Sequence, residues 1–244
     1  MTVKNIKQKK PKPYRKYTKQ NFFWKFMKYV FFLYKDIFKY MKHGKPFSEF
    51  GVTLYAGKQG AGKTTGMVEY LVRMKHQHPK CKIYTNFGFK LQDGPFSDWN
   101  DFFEKRNGED GVIFAIDEIQ NEFNSTAWKN FPETLLSEIT QQRKQRIKIV
   151  STSQVFTRVA KPLREQTYEV VECYTVGGRW TWMKAFDAME YESVISQPVL
   201  KNKLHRLWRK NFIQDEYLRE VFNSYDKVEK MKKTTYVERP GRIG

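Results

Sequence analysis

The chain has only two cysteines, Cys81 and Cys173, far apart and outside any CxxC spacing. That excludes a disulfide framework and the four-thiolate zinc modules, and it fits a reducing, cytoplasmic compartment. His76, His78 and Cys81 lie close together, but no fourth ligand is near them. A helix end with its loop is expected there rather than a metal site. Long apolar runs are also missing. Within the aromatic stretch near the start, the longest charge-free run is Tyr29 to Tyr34, far short of the roughly 20 apolar residues that a spanning helix needs. Lysines every few residues and the lack of a small-residue cleavage site argue against a signal peptide. Acid is scarce at the N-terminus: residues 1–50 hold 14 Lys/Arg against Asp36 and Glu49, so +12 of the formal +19 sits there. Such an imbalance calls for a polyanionic partner, either nucleic acid or an acidic membrane surface.

What is present is a core-forming composition, 40% apolar over 244 residues, enough for one α/β domain with tails. Residues 1–20, with eight Lys/Arg, no acid, Pro11 and Pro13, read as a disordered basic arm. Residues 21–46 read as an amphipathic helix and hinge. At 100° per residue Lys25, Lys28, Lys35, Asp36, Lys39 and Lys42 share one arc, and Phe22, Phe26, Val30, Leu33 and Ile37 fall opposite. His43-Gly44-Lys45-Pro46 ends that helix.

From residue 51 the pattern is β-α alternation. Apolar strands are expected at Val52–Ala56, Lys82–Asn86, Val112–Ile116 and Ile147–Thr152, with helices from Lys63 to Lys75, over the charged stretch Asp98–Arg106, and from Pro132 to Gln145. Strands separated by helices imply a mainly parallel central sheet flanked by helices. Tyr168–Val176 and Arg179–Phe186, joined by Gly177-Gly178, read as a β-hairpin. Asp215–Lys233 reads as a closing helix, and residues 234–244 as a tail.

Gly57-Lys58-Gln59-Gly60-Ala61-Gly62-Lys63-Thr64-Thr65 follows an expected strand and opens an expected helix. In that context GxxxxGK[ST] is a P-loop. Its glycines let backbone N–H groups approach phosphates, and the helix N-terminus favours the anion. Lys63 is expected to reach the β- and γ-phosphates of ATP, and the Thr64 hydroxyl to ligate Mg²⁺. A chance match in a chain of this length occurs on the order of 1% of the time at average glycine usage, and the flanking strand and helix reduce that further. The strand Val112–Ile116 ends in Asp117-Glu118, which puts two acids at the carboxyl edge of the sheet, where ligands of α/β folds bind. Asp117 is expected to hold Mg²⁺ through water and Glu118 to polarise the attacking water. Two acids in a helix first turn are the bland alternative. Ser151-Thr152-Ser153-Gln154 closes another strand, and Gln154 there is a candidate sensor of the γ-phosphate; turn hydrogen bonding is the competing use. Of Arg143, Arg146, Arg158 and Arg164, one is a candidate to complete a neighbouring subunit's site. Each taken singly also fits a solvated face.

The P-loop, the strand Ile113–Ile116 with Asp117-Glu118-Ile119-Gln120, the run QQRKQRIKIVSTSQ and Pro162-Leu163-Arg164 together resemble the zonula occludens toxin-like family. These are assembly ATPases of filamentous phages, related to the FtsK/HerA class of DNA-pumping motors, and the resemblance spans roughly residues 50–190. It implies a P-loop ATPase domain over residues 47–233, with ATP and Mg²⁺ as cofactors, and a homo-oligomeric ring. Arg143, Gln154 and Arg164 occupy the family's arginine and glutamine positions, and Arg164 is the first choice for a residue acting in trans. The implied partners are DNA and phage coat or assembly proteins. The wide aromatic face of Phe22–Lys42 and the basic arm ahead of it are expected to meet an anionic membrane surface through residues 1–42, at the cytoplasmic side of a host membrane; packing of that helix on the ATPase domain or on a neighbouring subunit is the alternative. Two features depart from the family: Ile119 stands where a small residue is usual, and the apolar segment precedes the ATPase domain instead of following it. A DNA-packaging or conjugative-coupling ATPase is the nearest alternative. A small-molecule or nucleotide kinase fits less well because it has no use for Glu118, and a scaffold with purely structural ATP is a third class.

Overall fold

A computed structural model describes residues 21–44, 46–122, 142–195 and 204–223. The basic arm, most of the helix expected after Pro132 and the tail lie outside these residues. The chain divides into two compact units, residues 1–45 and 46–244.

The first unit holds one helix, α1 (Phe22–His43). Gly44 ends it at φ +77°, its N–H donating to Tyr40 O at 2.9 Å. A side chain at that φ would be strained, so glycine sets the stop. Phe22, Phe26, Val30, Leu33, Ile37 and Met41 are all exposed along it. Among the described residues no helix is long and apolar enough to cross a membrane.

The second unit is built on β1 (Gly51–Ala56), β2 (Lys82–Thr85), β3 (Gly88–Phe89), β4 (Gly94–Pro95), β5 (Val112–Ile116), β6 (Ile147–Ser153), β7 (Thr167–Val176), β8 (Trp180–Asp187), β9 (Arg206–Ile213) and β10 (Phe222–Asn223). Eight of these strands form a mixed sheet in the order β4-β2-β5-β6-β1-β7-β8-β9. The strands from β4 to β7 are parallel, while β7-β8 and β8-β9 are antiparallel. β10 pairs antiparallel with β3 in a separate ribbon. Val112–Ile116 and Ile147–Ser153 are buried at every position. That is why they sit centrally and read as continuous hydrophobic runs rather than alternations.

The helices are α2 (Lys63–Gln77), α3 (Asp101–Glu104), α4 (Ile119–Glu122), α5 (Gln142–Gln145), α6 (Lys161–Glu165), α7 (Ala188–Ile195) and α8 (Glu216–Glu220). Met67, Leu71 and Met74 recur on one stripe of α2 and pack with Ile83, Ile113, Val150 and Val171 on one face of the sheet. The opposite face buries Leu54, Phe114, Ile116, Ile149 and Phe156 with Tyr191 of α7. Each such side chain contributes roughly 1.5–3 kcal/mol of transfer free energy.

Several expectations change. Asp98–Arg106 is helical only over α3: Asp101 Oδ2 accepts from Ser97 N–H at 2.7 Å, and Phe102 anchors the turn against Phe114 at 4.7 Å. The chain is already extended at Lys105. The hairpin ladder opens at Val176↔Trp180 and so leaves Arg179 outside it. Arg179 N–H donates to Val176 O at 3.2 Å across two glycines with positive φ. The closing helix covers α8 alone, capped by Asp215, whose Oδ1 accepts from Leu218 N–H at 2.8 Å. It gives way to β10, and residues 224–233 lie outside the described region. α7 and β9 were not expected. Asp187 starts α7 by accepting from Met189 and Glu190 N–H at 2.9 and 3.1 Å.

Candidate nucleotide site

β6 lies between β1 and β5, so three parallel strands deliver their carboxyl ends side by side. β1 ends in the P-loop, β5 in Asp117-Glu118, and β6 in Thr152-Ser153-Gln154. Register fixes the juxtaposition: Ala56 lies opposite Ser153, and Ile116 opposite Ser151.

Gly60 and Gly62 have φ of +77° and +84°, and Gly62 is the N-cap of α2. At Gly62 the requirement is double, because a Cβ would also stand 2.4 Å from Thr175 Oγ1. The first turn of α2 therefore starts inside the loop, with Gly66 N–H donating to Gly62 O at 2.8 Å. The first N–H groups of a helix have no intrahelical partner and suit a phosphate placed at that end. Lys63 is buried, and its Nζ donates to Lys58 O at 3.2 Å. Gln59, Gly60 and Lys58 form the exposed rim of the loop, while Ala61, Thr64 and Thr65 are half-buried and Gly57 leads in from β1.

Thr64 and Asp117, 53 residues apart, meet: Thr64 Oγ1 donates to Asp117 Oδ1 at 2.9 Å. The same carboxylate oxygen accepts from Thr152 Oγ1 at 2.6 Å, and Thr152 Oγ1 in turn accepts from Glu118 N–H at 2.8 Å. Asn86, just past β2, brackets the peptide. Its Oδ1 accepts from Asp117 N–H at 2.7 Å, and its Nδ2 donates to Asp117 O at 3.2 Å. Four strands thus converge on one aspartate. Hydroxyl and carboxylate oxygens at hydrogen-bond distance are the hard donors that Mg²⁺ takes, so Thr64 and Asp117 fit that ion.

Glu118 has φ +52°, a left-handed conformation that a non-glycine residue holds only when its surroundings force it. Here the Thr152 hydroxyl and the Asn86 amide pin the peptide that precedes it from both sides, and the Glu118 carbonyl accepts from Asn121 N–H at 2.9 Å. Its carboxylate is held by Gln120 Nε2, so the fourth residue of Asp-Glu-Ile-Gln orients the second. Gln154 is exposed and borders a cavity of about 350 Å³ that it shares with Gly57, Lys58, Glu172, Tyr174 and Lys184. Cys173 borders it too, but burial pushes its thiol up to about 12, against a lowering by Lys63. It remains a neutral thiol at ordinary pH.

The arginines lie elsewhere. Arg164 pairs with Glu192 of α7 at 3.0 Å, with its guanidinium 5.8 Å from the Phe156 ring. Arg146 donates to Glu109 O at 2.5 Å, and Arg158 is exposed. The side chain of Arg143 lies outside the described residues. Within the single chain, none of the described arginines joins the Thr64–Asp117–Thr152 cluster.

Asn86 and Thr152 are the site residues that the sequence reading assigned no part. Thr152 stood beside the residue singled out, Gln154, and a polar residue closing an apolar strand was the available signal. Asn86 carried the same signal at the end of Lys82–Thr85.

No protein-family model matches the sequence, and no curated protein does. Among solved structures, the N-terminal domain of zonular occludens toxin from Neisseria meningitidis superposes with a TM-score of 0.51 and 16% identity, covering 71% of this chain and 98% of that domain. The chain has the fold of that domain. The genome packaging NTPase B204 from Sulfolobus turreted icosahedral virus 2, in complex with ATP-gammaS, superposes with a TM-score of 0.43 at 12% identity, over 57% of this chain and 93% of its own. This α/β fold, with a zonular occludens toxin-like arrangement of strands, is the frame in which the cluster sits.

Proposed function

We propose that the protein is an ATP-hydrolysing motor of the zonula occludens toxin-like type, acting on DNA at a membrane in the assembly or extrusion of a phage particle. The observation that supports it most is the hydrogen-bonded chain Thr64–Asp117–Thr152–Glu118 N–H across three parallel strand ends. It gathers a cation-ligand pair and a candidate water-polarising carboxylate beside a phosphate-binding loop. The bound magnesium ion would neutralise charge on the phosphates. The P-loop N–H groups and Lys63 hold the β- and γ-phosphates. Asp117 and Thr64 would hold the ion, Thr152 and Asn86 hold Asp117, and Glu118 accepts the proton of the attacking water. Gln154, which lines the adjoining cavity, would contact the γ-phosphate side. Ring assembly brings an arginine from a neighbouring copy, and residues 1–42 hold the motor to an anionic leaflet.

Phosphate release with and without DNA tests the core of this. Lys63→Ala should abolish nucleotide binding. Glu118→Gln should retain bound ATP and slow turnover by about a hundredfold or more, the scale of a lost general base. Wild-type turnover by Glu118→Gln would sink the assignment.

A further inference from the structure

The outward face of β7, β8 and β9 carries a second feature. Cys173, Met183, Trp208 and Phe212 point into the core beneath α2; the alternate residues point the other way, and three of them are aromatic. Tyr174 and Trp182, cross-strand partners, stack with ring centroids 6.3 Å apart and planes 7° apart. Trp180 continues the row 5.0 Å from Trp182, its Nε1 donating to Asn211 Oδ1 at 3.1 Å. Tyr174 and Trp180 are each 43% exposed. Cations lie on the rings: the Arg209 guanidinium is 4.5 Å from Trp182, and Lys184 Nζ is 5.8 Å from Tyr174. Along this face from Glu172 to Val176, Trp180 to Lys184 and Leu207 to Ile213, Glu172 is the only acid, and its Oε1 already accepts from Tyr191 OH at 2.9 Å.

Cross-strand aromatic and cation–π pairs stabilise any sheet modestly. Stability alone does not require half-exposed indoles in a row, nor a face so poor in acid. We infer that this face is a binding platform for single-stranded nucleic acid, with unpaired bases stacking on Tyr174, Trp182 and Trp180 and phosphates meeting Arg209 and Lys184. Stacking on aromatic rings with flanking cations is how strands are held without sequence preference, and a duplex hides the base faces that such a row would use. Charge complementarity selects a polyanion over a second copy of this basic chain. The platform touches the nucleotide site, because Tyr174 and Lys184 line the same cavity as Gly57 and Lys58. A strand on the rings and a nucleotide on the loop are therefore read by one wall. The proposal rests on the DNA-directed reading above and adds where and how the strand is held.

The full-length protein is titrated with a fluorescent thymidine oligonucleotide, with an abasic strand of equal length and charge, and with the corresponding duplex. The N-terminal lysines bind all three through phosphate, so the platform is read from the preference for bases. The wild type should bind the thymidine strand at least tenfold tighter than the abasic one, and quench tryptophan emission as it does so. Trp180→Ala/Trp182→Ala should remove that preference while leaving abasic binding and DNA-free ATP turnover unchanged. Should that variant fail to fold, Arg209→Gln with Trp180→Phe should reduce the preference severalfold in a folded protein. Equal binding of both strands by the wild type overturns the platform, as does an undiminished preference in the folded variants. Loss of binding to anionic vesicles, or of self-association, with oligonucleotide binding intact assigns the face to a membrane or to a second copy and also overturns it. If the wild type binds no nucleic acid of any kind, the DNA-directed function fails as well, a result distinct from failure of the platform alone.

Discussion

Lys148 is a buried cation on a central strand, and its surroundings show why it survives there. Nζ donates to Thr53 Oγ1 at 2.7 Å and to Phe50 O at 3.2 Å. Thr53 and Trp208 donate to the two carboxylate oxygens of Glu169. Burial pulls the ammonium below the usual lysine value of 10.5, with Glu169 and Glu49 opposing. The folded value lies below the unfolded one, so between them the unfolded chain binds more protons and stability rises with pH. Below that window the penalty is present in full. Wild type should therefore gain stability relative to Lys148→Met as pH rises towards the usual lysine value of 10.5. Urea midpoints of the two proteins at several pH values check this; a constant difference across the range refutes it. The same scale shows what could be read from sequence. The P-loop and Asp117-Glu118 were legible because each is a contiguous run with one specific chemistry. The partners of Asp117 were not, because Thr152 and Asn86 lie 35 and 31 residues away, and only the order of strands decides which strand ends become neighbours.

At the scale of elements, the P-loop is fitted to the hairpin behind it. Thr175 Oγ1 bonds Ala61 O at 3.1 Å and meets Thr181 Oγ1 at 2.9 Å, and Gln214 Nε2 donates to Thr181 at 2.7 Å. Gly62→Ala adds a methyl group into this chain at a positive φ. A cost of about 1–3 kcal/mol follows from the backbone alone, and ATP affinity should fall by about tenfold or more on the same scale. Thr175→Ala should recover only the part due to the clash. Fluorescent-nucleotide titration distinguishes the three proteins. A second link joins α6 to α7 through Arg164 and Glu192. Arg164→Ala and Glu192→Gln should each lower stability, by up to about 1 kcal/mol for a partly exposed pair. If Arg164 also serves a neighbour, mixing Arg164→Ala with Lys63→Ala subunits should restore some turnover, and Glu192→Gln should not lose it. Absence of any rescue removes Arg164 from the trans role. β9 escaped the sequence reading for an element-level reason. As an edge strand it carries Arg206, Arg209 and Lys210 on both faces, which erases the alternation that marks a half-buried strand.

At the scale of the whole molecule, most of the net charge lies ahead of the sheet in the sequence. The 14 basic residues in the first 50 precede a sheet whose central strands are fully buried, and α1 displays aromatic side chains along its length. Each lysine near an anionic leaflet contributes about 1 kcal/mol. The full chain should co-sediment with anionic vesicles and be released by salt, and a chain beginning at Phe47 should stay in the supernatant and still hydrolyse ATP. Equal sedimentation of the shortened chain would remove the membrane from the proposed function.

The placement of β1 also governs how the protein is made. Its hydrogen-bonding neighbours are β6 and β7, whose residues Lys148–Ser153 and Thr167–Glu172 lie roughly a hundred positions downstream. While the ribosome has issued only the P-loop and α2, the strand beneath them has both edges unpaired and its apolar side chains in water. No local hairpin can cover them, since parallel pairing waits for distant sequence. The P-loop half of the chain therefore emerges as an adhesive strand that must be shielded until about residue 176 is out of the tunnel. Slow synthesis between β1 and β7 lengthens that exposure, and a holding chaperone shortens its consequences.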